Sequence, residues 1–199
     1  MKYNFLLNLT FFALVFTIIS CAKSDSSTNV NPTIPSNNKI GENSLIINEI
    51  KCRKPDDFSI YGDTTKWVEL YNPKDTVLTL EKGKWFFTDS LFNQQKFVLD
   101  TTLYVKPKGF LVIWFEKQTP TNTSASYTQL VVPSYSISKT SGDFGVYYKE
   151  NSTSSIIPIN TTTYNYPSDQ PKTQSNGRKP DGAGVIQLLD KVTLGTSNN

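Results

Sequence analysis

The chain has no histidine, two cysteines, one methionine and two arginines, Arg53 and Arg178. Without imidazole there is no Ser-His-Asp or Cys-His nucleophile, no His-ligated zinc and no imidazole acid or base. Two cysteines are too few for a thiolate zinc cluster or an iron–sulfur site. Twenty basic against 17 acidic residues leave a charge of +3, too small to point to nucleic acid. What is plentiful is Ser, Thr and Asn, 60 of 199 residues, together with 25 aromatics. At this length one domain with a tail is expected, and it is long enough to bury a real core.

Residues 1–20 read as an address. Lys2 gives a positive start, and Phe5 to Ser20 is an apolar run broken only by Asn8, Thr10 and Thr17. As a helix it would rise about 24 Å, short for a hydrocarbon layer of about 30 Å. Ile18-Ile19-Ser20-Cys21 closes the run where polar sequence begins. That ending resembles the lipobox of bacterial lipoproteins, and the resemblance implies that Cys21 is the lipidated first residue of the mature chain. The segment is excluded from fold reasoning. Cys52 is then left alone, and a lone cysteine in a strand reads as a small buried hydrophobe.

Residues 21–43 read as the lipidated cysteine and a disordered linker. Eleven of residues 22–43 are Ser, Thr or Asn, with Pro32 and Pro35 among isolated apolar side chains. Such a stretch cannot bury enough surface to offset its ordering entropy. As a flexible coil it reaches on the order of 25 Å.

From residue 44 to 199 the pattern has period two, with β-branched and aromatic residues between turn signals. Strands are expected at Leu45–Ile50, Lys66–Tyr71, Val77–Leu80, Trp85–Thr88, Lys96–Leu99, Phe110–Phe115, Gln129–Val132, Gly145–Tyr148, Ser155–Ile159 and Val185–Leu189. Beyond the first twenty residues no helical stripe is visible. Short strands at such spacing predict an all-β domain, an Ig-like β-sandwich. Lys117–Ser126 and Tyr164–Asn176 read as surface loops.

The order of motifs is similar to that of a lamin tail domain. Leu45-Ile46-Ile47-Asn48-Glu49-Ile50, then Trp67-Val68-Glu69-Leu70-Tyr71-Asn72-Pro73, then Trp85-Phe86-Phe87-Thr88-Asp89 resemble its opening strands. Pro107-Lys108-Gly109-Phe110 resembles its next turn, and Ser138-Lys139-Thr140-Ser141-Gly142-Asp143 its Gly-Asp turn. Gly177-Arg178-Lys179-Pro180-Asp181-Gly182 resembles its closing segment. The chain departs at Val192–Asn198, where the family often carries Pro-Thr-Pro-Gly and a final Asn. The resemblance implies an Ig-like sandwich that serves as an interaction module. It carries over no catalytic residue, and fold alone does not give function.

Glu49 and Glu69 lie on neighbouring expected strands. A carboxylate pair is suited to calcium or to acid–base hydrolysis. The competing expectation is that one of them pairs with Arg178, as a fixed bidentate ion pair, or caps a turn. Asp56, Asp57 and Asp63 lack regular calcium-loop spacing. No metal and no cofactor are expected. Tyr127, Tyr135, Tyr164 and Tyr166, in the loop-rich half, are candidates for a sugar platform, whereas Trp67, Trp85 and Trp114 lie inside strand patterns and read as core. Asp63-Thr64-Thr65, Asp75-Thr76-Val77, Asp89-Ser90-Leu91 and Asp100-Thr101-Thr102 resemble the Bacteroidetes O-glycosylation acceptor, with Thr64, Thr76, Ser90 and Thr101 as the sites.

The leading expectation is a non-catalytic binding or structural module in the cell envelope. It is held by a lipid to a membrane, the outer membrane first, and its partner is a protein or a glycan. A carbohydrate-binding surface lipoprotein and a carboxylate-based hydrolase are the alternatives.

Overall fold

A computed structural model of the chain describes residues 39–53, 66–115 and 126–199. Within them every regular element is a strand. In chain order these are β1 (Ile46–Lys51), β2 (Trp67–Tyr71), β3 (Leu78–Leu80), β4 (Trp85–Thr88), β5 (Phe97–Val98) and β6 (Leu103–Val105). They continue with β7 (Phe110–Trp114), β8 (Thr128–Val131), β9 (Ser141–Tyr148), β10 (Ile157–Asn165), β11 (Ser175–Gly177) and β12 (Gln187–Leu189). All belong to one unit, Asn38–Asn199. The expected signal peptide, Cys21 and most of the expected linker lie outside the described residues, as do Asp56, Asp57, Asp63 and Thr64.

The largest sheet runs β12-β11-β1-β2-β7-β8, a second runs β10-β9-β4-β5, and β3 and β6 form a two-stranded ribbon. Neighbours are antiparallel except β7 and β8, which are parallel. The sheets and the ribbon share one core. Ile47, Ile50, Val68, Leu70, Leu111 and Ile113 of the large sheet meet Trp85, Phe87, Phe144, Val146 and Ile159 of the second. The ribbon adds Leu78, Leu80 and Val105. This is an all-β fold of several sheets on a common core, consistent with a β-sandwich. Removing these side chains from water is the main stabilising term, about 1.5–3 kcal/mol for each large one.

Most expected strands fall within a few residues of the observed ones. Gly142-Asp143 is a correction, because it lies inside β9 rather than in a turn. Gly142 stands opposite Tyr164 of β10, and a Cβ there would lie 2.9 Å from the Tyr164 hydroxyl. The glycine marks a close approach between strands. Asp143, opposite Thr163, is half-buried beside it. The loop expected from Tyr164 likewise starts later, since β10 continues to Asn165.

The large sheet buries its outer face as well. Across it, Glu49, Glu69, Val112 and Gln129 form one row, and Lys51, Trp67, Trp114 and Val131 the next. Trp67 meets Trp114 edge-on, with ring centroids 6.3 Å apart. Val192 and Leu194 pack on these indoles and on Val112. Residues 192–198 therefore act as a strap over the outer face, and together with the 167–174 loop on Lys51 and the 180–182 turn beside Ile46 and Asn48 they leave β1 buried along its whole length.

Candidate functional site

The site begins with an irregularity in β1. Ile47 pairs with Leu70, yet Glu49 pairs with Glu69, so Asn48 is one residue too many for the ladder. This β-bulge breaks the alternation and re-aims a side chain. Asn48 Nδ2 donates to Glu69 Oε1 at 3.0 Å and to Asp181 Oδ1 at 2.9 Å. Its Oδ1 accepts the Gly182 N–H at 2.9 Å. Gly182 takes a positive φ of 67°, and a Cβ there would lie 2.7 Å from the Tyr71 ring, so the 180–182 turn requires glycine.

Two carboxylates stand directly opposite each other beside the bulge, and both are fully buried. Glu49 Oε1 accepts from the Ser175 hydroxyl at 2.5 Å and from the Thr193 N–H at 3.1 Å. Its Oε2 lies 2.5 Å from the Thr193 hydroxyl. Glu69 Oε2 accepts the Gly195 N–H at 2.6 Å. Burial pushes Glu49 above the ordinary carboxylate value, against the pull of Ser175 and Thr193. Burial, with Glu49 facing it, pushes Glu69 well above that value.

The remaining bonds tie in the strap. Asp181 accepts from Asn198 N at 3.1 Å and from the Ser197 hydroxyl. Asn198 Nδ2 donates to the Arg178 carbonyl at 2.8 Å, and its Oδ1 meets the Thr193 hydroxyl. Thr196 N closes a turn on Thr193 O at 2.8 Å. Asn48, Glu49, Glu69, Asp181 and Gly182 thus meet in one clasp, and the two glutamates cap the turn of the strap.

Arg178 does not pair with either glutamate, contrary to the ion-pair expectation. Its Nε donates to Ile47 O at 2.8 Å and its Nη1 to Gly184 O. Both carboxylates already meet neutral donors, so the guanidinium is left to bind the carbonyls that the bulge and the turn leave over. Asn72 is set apart from the clasp. Its amide nitrogen faces Thr76 O, Val105 O and Lys106 O at 2.9 to 3.1 Å, which joins the loop after β2 to the end of β6.

The open cleft that two-carboxylate hydrolysis requires is not found at Glu49 and Glu69, since both are sealed from solvent. Among the described residues no group of three His, Cys, Asp or Glu is arranged to hold a metal. Trp67, Trp85 and Trp114 are core, as their strand positions predict. Of the candidate sugar platform, Tyr164 and Tyr166 are buried and Tyr127 and Tyr135 half-buried. The exposed aromatic rings among the described residues are Phe92 and Tyr104 instead. Thr76 and Thr101 are exposed, and Ser90 is half-buried.

A second polar cluster was not anticipated. Lys51 is 1% exposed, and its ammonium donates to Lys172 O and, at 2.8 Å, to Gln174 O. Burial lowers its pKa to about 8. Arg53 Nη1 donates to Ser168 O at 2.9 Å and Gln170 O at 3.1 Å, and both cations lie near the Tyr166 ring. Together they hold the 167–174 loop by its carbonyls. Between them Cys52 is a buried free thiol, pushed up to about 11 by that burial. Burial and a raised pKa are the marks of a packing cysteine, whereas a reactive thiolate needs its pKa lowered.

Sequence reasoning also missed Ser175, Thr193, Gly195 and Ser197. For the last three the only signal is a run of hydrogen-bonding residues and a glycine after Val192, and Ser175 has none beyond the polar stretch before Gly177. No protein-family model and no curated protein matches the chain.

Proposed function

We propose that this chain is a lipid-anchored, extracytoplasmic module that binds or holds and does not catalyse. In this reading residues 1–20 are a lipoprotein signal peptide, Cys21 carries the lipid, and residues 22–43 are the tether. The domain from residue 44 is a lamin-tail-like, Ig-like sandwich displayed in the cell envelope, at the outer membrane. Its partner is a protein or a glycan.

The observation that carries the reading is the use made of the motif residues. Asn48, Glu49, Glu69, Arg178, Asp181 and Gly182 direct their hydrogen bonds at closing the fold. None of the buried carboxylate oxygens is open to a substrate. The polar residues most suggestive of chemistry are therefore occupied with architecture, which leaves the surface for recognition. The anchor rests on Ile18-Ile19-Ser20-Cys21 at the end of the apolar run.

The test is Cys21→Ser expressed from the full gene. The variant is expected to leave the membrane fraction and yield a soluble, cooperatively folding domain. Retention in the membrane fraction overturns the anchor. One lipid chain alone binds a bilayer only marginally, so the wild type is expected to carry more than one.

A further inference from the structure

The clasp contains a hydrogen-counting problem that has one solution. The Thr193 hydroxyl has a single hydrogen and touches two oxygens, Glu49 Oε2 and Asn198 Oδ1. The Asn198 amide cannot be turned round, because its Nδ2 donates to the Arg178 carbonyl. Its Oδ1 is therefore an acceptor, and the Thr193 hydrogen goes to it. Glu49 Oε2 must then supply the hydrogen in its own contact with Thr193.

Glu69 has no room for that proton. Its Oε2 faces the Gly195 N–H and its Oε1 faces Asn48 Nδ2. Asn48 is itself fixed in orientation by the Gly182 N–H on its Oδ1. Both partners of Glu69 are N–H donors that cannot accept. Burial favours a proton on both residues and raises Glu69 the more, with Glu49 facing it, but the hydrogen-bond partners oppose that order, and they decide which residue keeps the proton.

The geometry points to a proton-held strap: Glu49 is a neutral carboxylic acid, Glu69 is its ionised partner, and the strap at 192–198 stays closed over Trp67, Val112 and Trp114 only while Glu49 keeps its proton. When that proton leaves, the Thr193 hydrogen is drawn to Glu49, and the Thr193–Asn198 contact becomes acceptor against acceptor. Two facing buried carboxylates then both carry charge. The charged groups around the pair are few. Lys51 lies two residues along β1, Asp181 comes from the adjoining turn, and Arg178 is held by carbonyls. β7 contributes apolar Val112 to the row, and residues 192–198 carry no charged side chain.

The sign follows from linkage. The folded state holds a proton that the unfolded chain has lost above the ordinary carboxylate value of 4.5. Stability is therefore full below that value and falls as pH rises through the raised pKa of Glu49. Each unit of the raise corresponds to about a tenfold loss in the folding equilibrium constant.

Urea unfolding of the full chain at steps from about pH 5 to about pH 8 tests this, with Glu49→Gln and Glu69→Gln beside the wild type. Gln at 49 reproduces the neutral acid, with its amide nitrogen donating to Thr193. It is expected to match the wild type near pH 5 and to exceed it increasingly toward pH 8. Gln at 69 sets an amide nitrogen against an N–H, and this variant is expected to be less stable throughout. The reverse order of the two variants, or a Glu49→Gln chain that fails to fold, overturns the proposal. Carboxyl carbon NMR gives an independent reading. Glu49 is expected to titrate above 4.5 while Glu69 stays ionised through that step, and the opposite assignment also overturns it.

Discussion

At the residue scale, Asn48 is the most consequential position. A single extra residue in β1 lets one amide serve Glu69, Asp181 and Gly182 at once. Asn48→Ala leaves those groups short of partners inside the fold, and the expected loss is about 1–3 kcal/mol in urea unfolding. Asn48→Asp is expected to cost more than Asn48→Ala near neutral pH. It replaces a shared donor by a third carboxylate between two others. If the two variants are equally stable, the amide is not holding the carboxylates together. The bulge was only partly legible: Asn48-Glu49 sets two polar residues between the core positions Ile47 and Ile50, which breaks the alternation without saying which residue is extra. Nothing local marks Asn48 as the extra residue, because the ladder slips only against Leu70 and Glu69 of the next strand.

At the element scale, the strap turns on Gly195. It takes a positive φ of 67°, and a Cβ there would lie 2.0 Å from the Tyr127 ring. Gly195→Ala is expected to lift the strap while the two-sheet core remains folded. Quenching of Trp67 and Trp114 fluorescence by iodide should rise, with far-UV circular dichroism unchanged. An unchanged quenching profile would show that the strap is not needed to cover the indoles. The strands themselves were largely readable, because Trp67-Val68-Glu69-Leu70-Tyr71 and Phe110-Leu111-Val112-Ile113-Trp114 carry enough apolar and β-branched weight to declare themselves. β11 was not, since Ser175-Asn176-Gly177 is polar and yet buried. Its burial comes from pairing with β1 and from the clasp, which are long-range facts. The strap was unreadable for the same reason. It has no periodicity, and its partners are side chains as many as 144 residues away.

At the scale of the whole molecule, stability carries two opposed pH slopes from one strand. Glu49 contributes a fall as pH rises from 4.5. Lys51, with a pKa lowered from 10.5 to about 8, contributes the reverse. Between those two values the unfolded chain holds a proton that the folded chain has released, so Lys51 makes stability rise with pH from about 8, until the Cys52 thiol, raised from 9.0 to about 11, offsets it above 9.0. Lys51→Met is expected to abolish the alkaline rise and to loosen the 167–174 loop, read by amide exchange of residues 168–174. A rise that persists in the variant would assign it to another group. The same clasp also makes closure a late event. Glu49 and Thr193 stand 144 residues apart, so the contact that seals the outer face closes one of the longest loops in the fold. Until it forms, no strap covers Trp67, Val112 and Trp114, and residues 192–198 decide when that face leaves water.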